Sequence, residues 1–473
     1  MAEISRAGWT DFSWSQRLAR FATDLRLQDL PAAVVSRVKH FFIDYLGIAL
    51  RASSLDSSKP ARALAREQMI PGQATLLGAG TTGADYAALA NGMAAHSMEL
   101  DDTFLEGSIH NESFLYAATM ALAEECGLSG PDFIAAIVAG FEASCRIAKA
   151  LQPAVTNARG FHPTGTCGAI GAAVAAGKLL GLNERQMTAC IGIACSQASG
   201  LLEYVTDGSW TKRFHAGWAA HAGLVAARLA KHGMTAPRTA IEGKFGFLHA
   251  YSGQPKLDGF DTGIGEDYLI LRTAMKYYPC NYYIQAINDS VLKLAARDDY
   301  DLSKIASIVV HTVQAAMHLV CEPIEQKRNP KVMIDAQFSV PFNVALGLLK
   351  KRVVFPDFTE QLFQAQEMHR LMDKVTCVVD PALDALYPET WPASVEIIME
   401  GGQRLAAETR FAKGDPRNPL TEDEVVAKHK SLVLGAVDDD IDDRILRFIF
   451  DLEHKPDFAE LSGILRNFVL PIS

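Results

Sequence analysis

A chain of 473 residues, 49% apolar and 21% charged, has a globular composition and enough length for two or three packed cores. A formal net charge of -10 without any long basic run excludes an ordinary nucleic-acid binder, although a few converging cations can still hold a carboxylate in an acidic protein. No uninterrupted apolar stretch reaches the ~18 residues of a membrane span, and Met1 to Trp14 lacks the basic and apolar segments of a secretory signal, so a cytoplasmic protein with no membrane partner is expected.

Residues 1–272 are predicted to be nearly all helical from apolar spacings of three and four. Pro31 opens a helix through Val34, Val35, Val38, Phe41, Phe42, Tyr45 and Leu46. Further helices are expected over Tyr86 to Asp101, Phe114 to Cys126, Pro131 to Leu151, Gly165 to Leu180, Glu184 to Gly200 and Lys212 to His232. Several are so rich in Ala and Gly that they must be buried or pack closely on neighbours.

The pattern changes after that. Ile305 to Val313 is β-branched; Val375, Cys377 and Val379 alternate, as do Val395, Ile397 and Met399. Gly401-Gly402 then separates this last run from Arg404 to Phe411, a hairpin signal. Helices are expected between these strands at Tyr283 to Ala296 and Gln337 to Lys350. Thr421 and Glu424 form a capping box ahead of Val425 and Val426, and two more helices follow, at Asp440 to Leu452 and Asp457 to Phe468. The fold class is therefore mostly α with an α+β insertion. Residues 1–272 and 413–473 make the helical domain, and 273–412 a smaller mixed α+β lid domain.

Four stretches carry candidate chemistry. In His96-Ser-Met-Glu99-Leu-Asp101-Asp102-Thr103, a continuing helix would put His96, Glu99 and Thr103 on one face with Asp102 close by, and His110 follows. Such a group can bind a polar ligand or relay protons; a helix end facing solvent is the alternative. No HExxH-like spacing fixes a metal geometry there, so no metal is assigned. His162 precedes Pro163, which biases it to extended backbone, and a helix starting near Gly165 would offer amide donors to an anion. Lys212 and His215 share a face at the start of a helix, where a lysine opposes the dipole unless an anion sits nearby. Lys276 lies at the domain boundary, ahead of Asn281, where clefts commonly bind ligands. Eight cysteines are scattered without CxxC spacing and read as reduced core residues. No P-loop, GxSxG or dinucleotide fingerprint appears.

Together, HSMELDDT with His110, GFHPTGTCGAIGAA from Gly160, KRFHAGWAA from Lys212, IEGKFGF from Ile241, MKYYPCN from Met275 and KGDPRNPL from Lys413 resemble the MmgE/PrpD family. That family includes 2-methylcitrate dehydratase, cis-aconitate decarboxylase and iminodisuccinate epimerase. The resemblance implies a helical domain built from both termini, a mixed lid, a homodimer, and no organic cofactor or iron–sulfur cluster. It implies site roles for Glu99, Thr103, His110, His162, Lys212 and Lys276. It also shows two departures from the animal decarboxylase pattern: Asn281 stands where that pattern has histidine, and Phe342 where it has tyrosine.

The expected mechanism places a di- or tricarboxylate against Lys212, Lys276 and the amides near Gly165. His162 or His110 moves the proton, and Glu99, Asp102, Thr103, His215 and Asn281 line the substrate. A lyase is expected, with dehydration slightly ahead of decarboxylation. Epimerisation of a dicarboxylate is the alternative, and a non-catalytic polycarboxylate binder a third reading.

Overall fold

The computed structural model of the protein describes residues 12–68 and 70–467. Most of the signal-segment reading at Met1 to Trp14, and the end of the helix expected to reach Phe468, lie outside the described residues.

Most of the chain is helical. Trp14–Asp24, Ala32–Ala52, Ala84–Ala95, Glu112–Cys126, Gly130–Leu151, Pro163–Leu179, Glu184–Gln197 and Thr211–Lys231 form the main helices of the first half. Their cores are joined by aromatic contacts. Phe42 meets Tyr116 at 5.4 Å and Phe133 at 5.1 Å between ring centroids, and Phe133 meets Phe458 at 4.9 Å. Phe458 comes from the far end of the chain, so the C-terminal helices share this core with the first half. Burying each such side chain stabilises the fold by about 1.5–3 kcal/mol. Small residues allow the closest crossings: a Cβ on Gly217, in Thr211–Lys231, would run into the Leu89 carbonyl of Ala84–Ala95.

A second core gathers Ile287, Val291, Ile308, Val310, Phe342, Val344, Val395 and Ile397. Its sheet has four strands in the order Val375–Val379, Ile305–Thr312, Ala393–Met399, Arg404–Thr409. The first pair is parallel and the other two antiparallel. The last hairpin turns on Gly401 and Gly402, with φ of 94° and 87°, a region open to glycine without steric cost. Gln285–Ala295 and Val340–Lys350 pack together in this core.

Three local differences from the sequence reading have physical causes. The helix expected over Tyr86 to Asp101 ends at Ala95. The run expected over Gln337 to Lys350 is broken: Met333–Gln337 stops, and Val340–Lys350 starts afresh. There the Ser339 hydroxyl accepts from Phe342 N at 3.0 Å, and Pro341 sits in the first turn. A two-stranded ladder, Ala74–Leu76 with Gly80–Thr82, was not expected, because three residues are too few to show alternation. Among the described residues no helix is long and apolar enough to cross a membrane.

Candidate functional site

The site is built around the loop that replaces the end of the Ala84–Ala95 helix. His96 caps that helix, and Glu99 then takes a left-handed backbone with φ of 53°. A non-glycine residue held there is strained and persists only when its surroundings fix it. Glu99 is fixed by its carboxylate, which is ion-paired with Lys212 and lies 3.6 Å from Lys276. The loop ends where Thr103 pairs with Ala274 through two backbone hydrogen bonds of 2.8 and 2.9 Å. That ladder brings Lys276 to the loop. His96, Glu99 and Thr103 therefore converge through a turn, not along the helix face expected from their spacing.

Four imidazoles surround this loop. His96 lies 5.1 Å from His110 and 6.0 Å from His162, and His162 lies 5.1 Å from His215, all between ring centroids. His110 comes from the turn before Glu112–Cys126. Its Nδ1 donates to the Asp102 carbonyl at 2.6 Å and lies 3.3 Å from the Thr103 hydroxyl, which leaves Nε2 as the lone-pair nitrogen of the neutral ring. His162 caps Pro163–Leu179 in extended backbone, with φ of -97° and ψ of 114°, as a residue before proline should. Its Nδ1 is 3.0 Å from Nδ1 of His215, so one ring donates and the other accepts.

Burial and charge set the protonation states. Lys212, Lys276 and Glu99 have relative exposures of 4%, 0% and 2%. Burial opposes the Glu99 charge, but Lys212, Lys276 and His96 outweigh it and bring its pKa down to about 2. Burial likewise opposes charge on Asp101, and His96, Lys276 and His110 hold its carboxyl well below the usual range. Burial lowers Lys212 despite Glu99. For Lys276 burial acts in the same direction, yet Asp101 and Glu99 raise it above the ordinary value. Burial, then Lys276, holds His110 well below the usual imidazole value; burial, then His215, does the same for His162. His215 is lowered to about 3, by burial and then by His96 and Lys212. His110 and His162 are therefore neutral bases at neutral pH.

The structure brings together Glu99, Thr103, His110, His162, Lys212, His215 and Lys276. Two further expected residues make local capping bonds. Asp102 caps the Glu112–Cys126 helix: Oδ1 accepts from Glu112 N at 2.9 Å and Oδ2 from Asn111 Nδ2 at 3.4 Å. Burial, then the Asp101 charge, pushes its pKa up to about 8. Asn281 caps the turn after it, its Oδ1 accepting from Tyr283 N at 3.0 Å. Phe342 packs in the second core against Phe358 and Phe363, each at 5.4 Å; the ring facing the site is Phe338, 5.1 Å from Lys212 Nζ. Two amides of the expected anion site near Gly165 are engaged as well. Gly165 N and Thr166 N both donate to the His162 carbonyl, at 3.1 and 3.2 Å. Gly165 is there for close approach, since a Cβ would collide with the Ser199 carbonyl and crowd His215. The anion near Lys212 is the chain's own Glu99, which answers why a buried lysine opens a helix.

Sequence reasoning missed several neighbours. Tyr204 stands edge-on to His162 at 5.7 Å and to His215 at 5.9 Å. Gln337 donates to the Met98 carbonyl at 2.8 Å and ties its segment to the loop. Lys428 donates to the carbonyls of Leu100 and Lys276 at 3.0 and 2.6 Å. Tyr204 lies in a segment with no periodicity, and Lys428 shows only that a lysine sits in an amphipathic helix. Among the described residues no group of three or more His, Cys, Asp or Glu is arranged to hold a metal ion.

A mostly helical fold with a small mixed sheet and a buried histidine–lysine–carboxylate cluster define the class of protein. Residues 16–259 match the MmgE/PrpD N-terminal domain and residues 278–453 the MmgE/PrpD C-terminal domain. The chain belongs to the MmgE/PrpD family. It is 27% identical over 470 residues to a cis-aconitate decarboxylase-like protein of Aspergillus oryzae, covering 95% of this chain and 96% of that one. It is 26% identical over 471 residues to cis-aconitate decarboxylase of Aspergillus terreus, covering 95% of each. With cis-aconitate decarboxylase of Homo sapiens it shares 24% identity over 407 residues, covering 81% of this chain and 79% of the relative.

Proposed function

We propose that this protein is a lyase acting on a small di- or tricarboxylic acid without a cofactor, with decarboxylation placed ahead of dehydration. The observation that carries this reading is two buried ammonium groups, Lys212 and Lys276, converging on one loop beside the neutral imidazoles of His110 and His162. Positive charge at one wall suits substrate carboxylates, and neutral imidazoles beside it suit proton transfer. Relatives named cis-aconitate decarboxylase, matching nearly the whole chain, favour loss of CO2 over the dehydration preferred from sequence alone.

In this reading the substrate carboxylates meet Lys212 and Lys276 and Thr103 contributes a hydroxyl. Electron density that builds as a C–C or C–H bond breaks is stabilised by the two ammonium groups. His110 Nε2 or the His162 ring accepts the proton in a dehydration. Tyr204 and Phe338 cover the imidazoles and Lys212 and keep water from them. Residues 1–272 and 413–473 act as the body and 273–412 as the lid. The protein works in the cytoplasm as a homodimer.

The test is incubation of the purified protein with cis-aconitate, 2-methylcitrate and citrate, reading CO2 release and the absorbance of a new alkene. Release of CO2 from cis-aconitate is the expected result. Turnover of none of the three acids would remove the lyase reading.

A further inference from the structure

His96 has no part in the mechanism just described, yet it is the most enclosed imidazole of the cluster, with a relative exposure of 0%. Its Nδ1 lies 2.5 Å from Asp101 Oδ2. Asp101 is ionised, so Nδ1 carries the hydrogen and donates it, and Nε2 is the atom left free. Nε2 is buried and finds no hydrogen-bond partner among the described residues. The helix does not need the ring as a cap, because the His96 backbone N–H already bonds the Gly92 carbonyl at 3.2 Å. The two imidazoles nearest the ring are His110 and His162, and the His162 plane is only 24° from its own. Asp101 also reaches Lys276 Nζ at 3.4 Å, so one carboxylate orients both the imidazole and the ammonium. A buried ring nitrogen without a partner is costly unless the site supplies one.

We propose that His96 is a third substrate-contacting histidine, whose Nε2 delivers the proton of the reaction, with Asp101 as its positioning residue. The inference rests on the lyase reading of the same site. In a decarboxylation the C–C bond to the carboxylate breaks and CO2 leaves. The electron pair stays on the former partner carbon and takes the Nε2 proton. That proton first enters at Nε2 from water, giving a ring protonated at both nitrogens beside Asp101, and its delivery to carbon returns the ring to the Nδ1–H tautomer that Asp101 holds. A carboxylate at Nδ1 serves this cycle in both states, because it fixes orientation and stabilises the doubly protonated ring.

Two substitutions separate this role from a structural one. His96→Asn keeps an amide near the Nδ1 position, and with it the bond to Asp101, but removes Nε2. His96→Gln places an amide near Nε2 that hydrogen-bonds but has no proton acidic enough to deliver to carbon. Both variants are expected to melt within a few degrees of wild type. In each, kcat is expected to fall about 100-fold or more, while KM for the His96→Gln variant changes less than about threefold. Asp101→Asn is expected to lower kcat as well, through the misdirected ring. A kcat within threefold of wild type in either His96 variant would overturn the proposal.

An activity-independent reading uses 15N-histidine-labelled protein and tricarballylate, a saturated tricarboxylate that cannot react. The Nε2 resonance lost in His96→Asn is expected to move when tricarballylate is added to wild type. An unmoved resonance alongside a raised melting temperature would overturn the His96 contact. A moved resonance in a protein that turns over none of the three acids would uphold the contact and overturn the lyase reading alone.

Discussion

Lys428 and Lys276 are both buried ammonium groups, and the first donates to the backbone carbonyl of the second at 2.6 Å, yet their surroundings differ. All three Lys428 protons have close acceptors: Asp44 at 2.7 Å, the Leu100 carbonyl at 3.0 Å and the Lys276 carbonyl. Among the described residues Lys276 reaches only the longer contacts with Asp101 at 3.4 Å and Glu99 at 3.6 Å. The histidines repeat the contrast. His429 is bonded at both ring nitrogens, to the Ile43 carbonyl at 2.8 Å and to Asp442 at 2.7 Å, whereas His96 is bonded at one. A saturated buried cluster fixes structure; an unsaturated one of the same residue types, a few ångströms away, has valences left for a ligand. The two are mechanically joined, since Lys428 anchors the loop at Leu100 and the backbone at Lys276.

The sharpest way to break this comparison is to exchange the outcomes of lysine substitution. Lys212→Met is expected to lower kcat/KM by about 10²–10³ or more, the cost of losing one preorganised electrostatic donor. It also leaves Glu99 as an uncompensated buried charge. Adding Glu99→Gln should restore much of the lost melting temperature and none of the activity. Recovery of activity in the double variant would show that the pair is structural.

Lys428→Met should behave in the opposite way. Removing one partner of a buried pair costs about 3–5 kcal/mol, which urea unfolding will show. Activity of the fraction that remains folded should fall by less than the Lys212→Met loss, because Lys428 acts through the position of Lys276. A larger activity loss than stability loss would place Lys428 in the chemistry.

The smallest effect concerns pH. Because burial holds His110 and His162 below the ordinary imidazole value, each stays deprotonated as the pH falls through 6.5. The acid limb of kcat/KM is therefore expected below the ordinary imidazole value of 6.5, where the bases at last protonate. A limb centred at 6.5 would mean that the working histidine is solvated.

Much of the fold was legible, for reasons that also mark where legibility stopped. The spacing through Val34, Val38, Phe41, Phe42 and Tyr45 identifies a buried helix, and Gly401-Gly402 identifies a hairpin, because each pattern is decided locally. The stop at Ala95 was not legible. No Gly or Pro marks it; the turn is made by pairing His96 with Asp101 and Glu99 with Lys212, a contact across 113 positions. Lys212, Lys276, His110 and His162 were identifiable as candidates, and the structure gathers them; the capping bonds of Asp102 and Asn281 were not visible in the sequence. Tyr204 and Phe338 owe their places to tertiary contact alone.

Isothermal titration calorimetry with tricarballylate, on wild type and Lys212→Met side by side, tests the central claim most directly. The account predicts saturable binding to wild type and affinity weakened by at least tenfold in the variant. Equal affinity in the two proteins, or none in wild type, would contradict it.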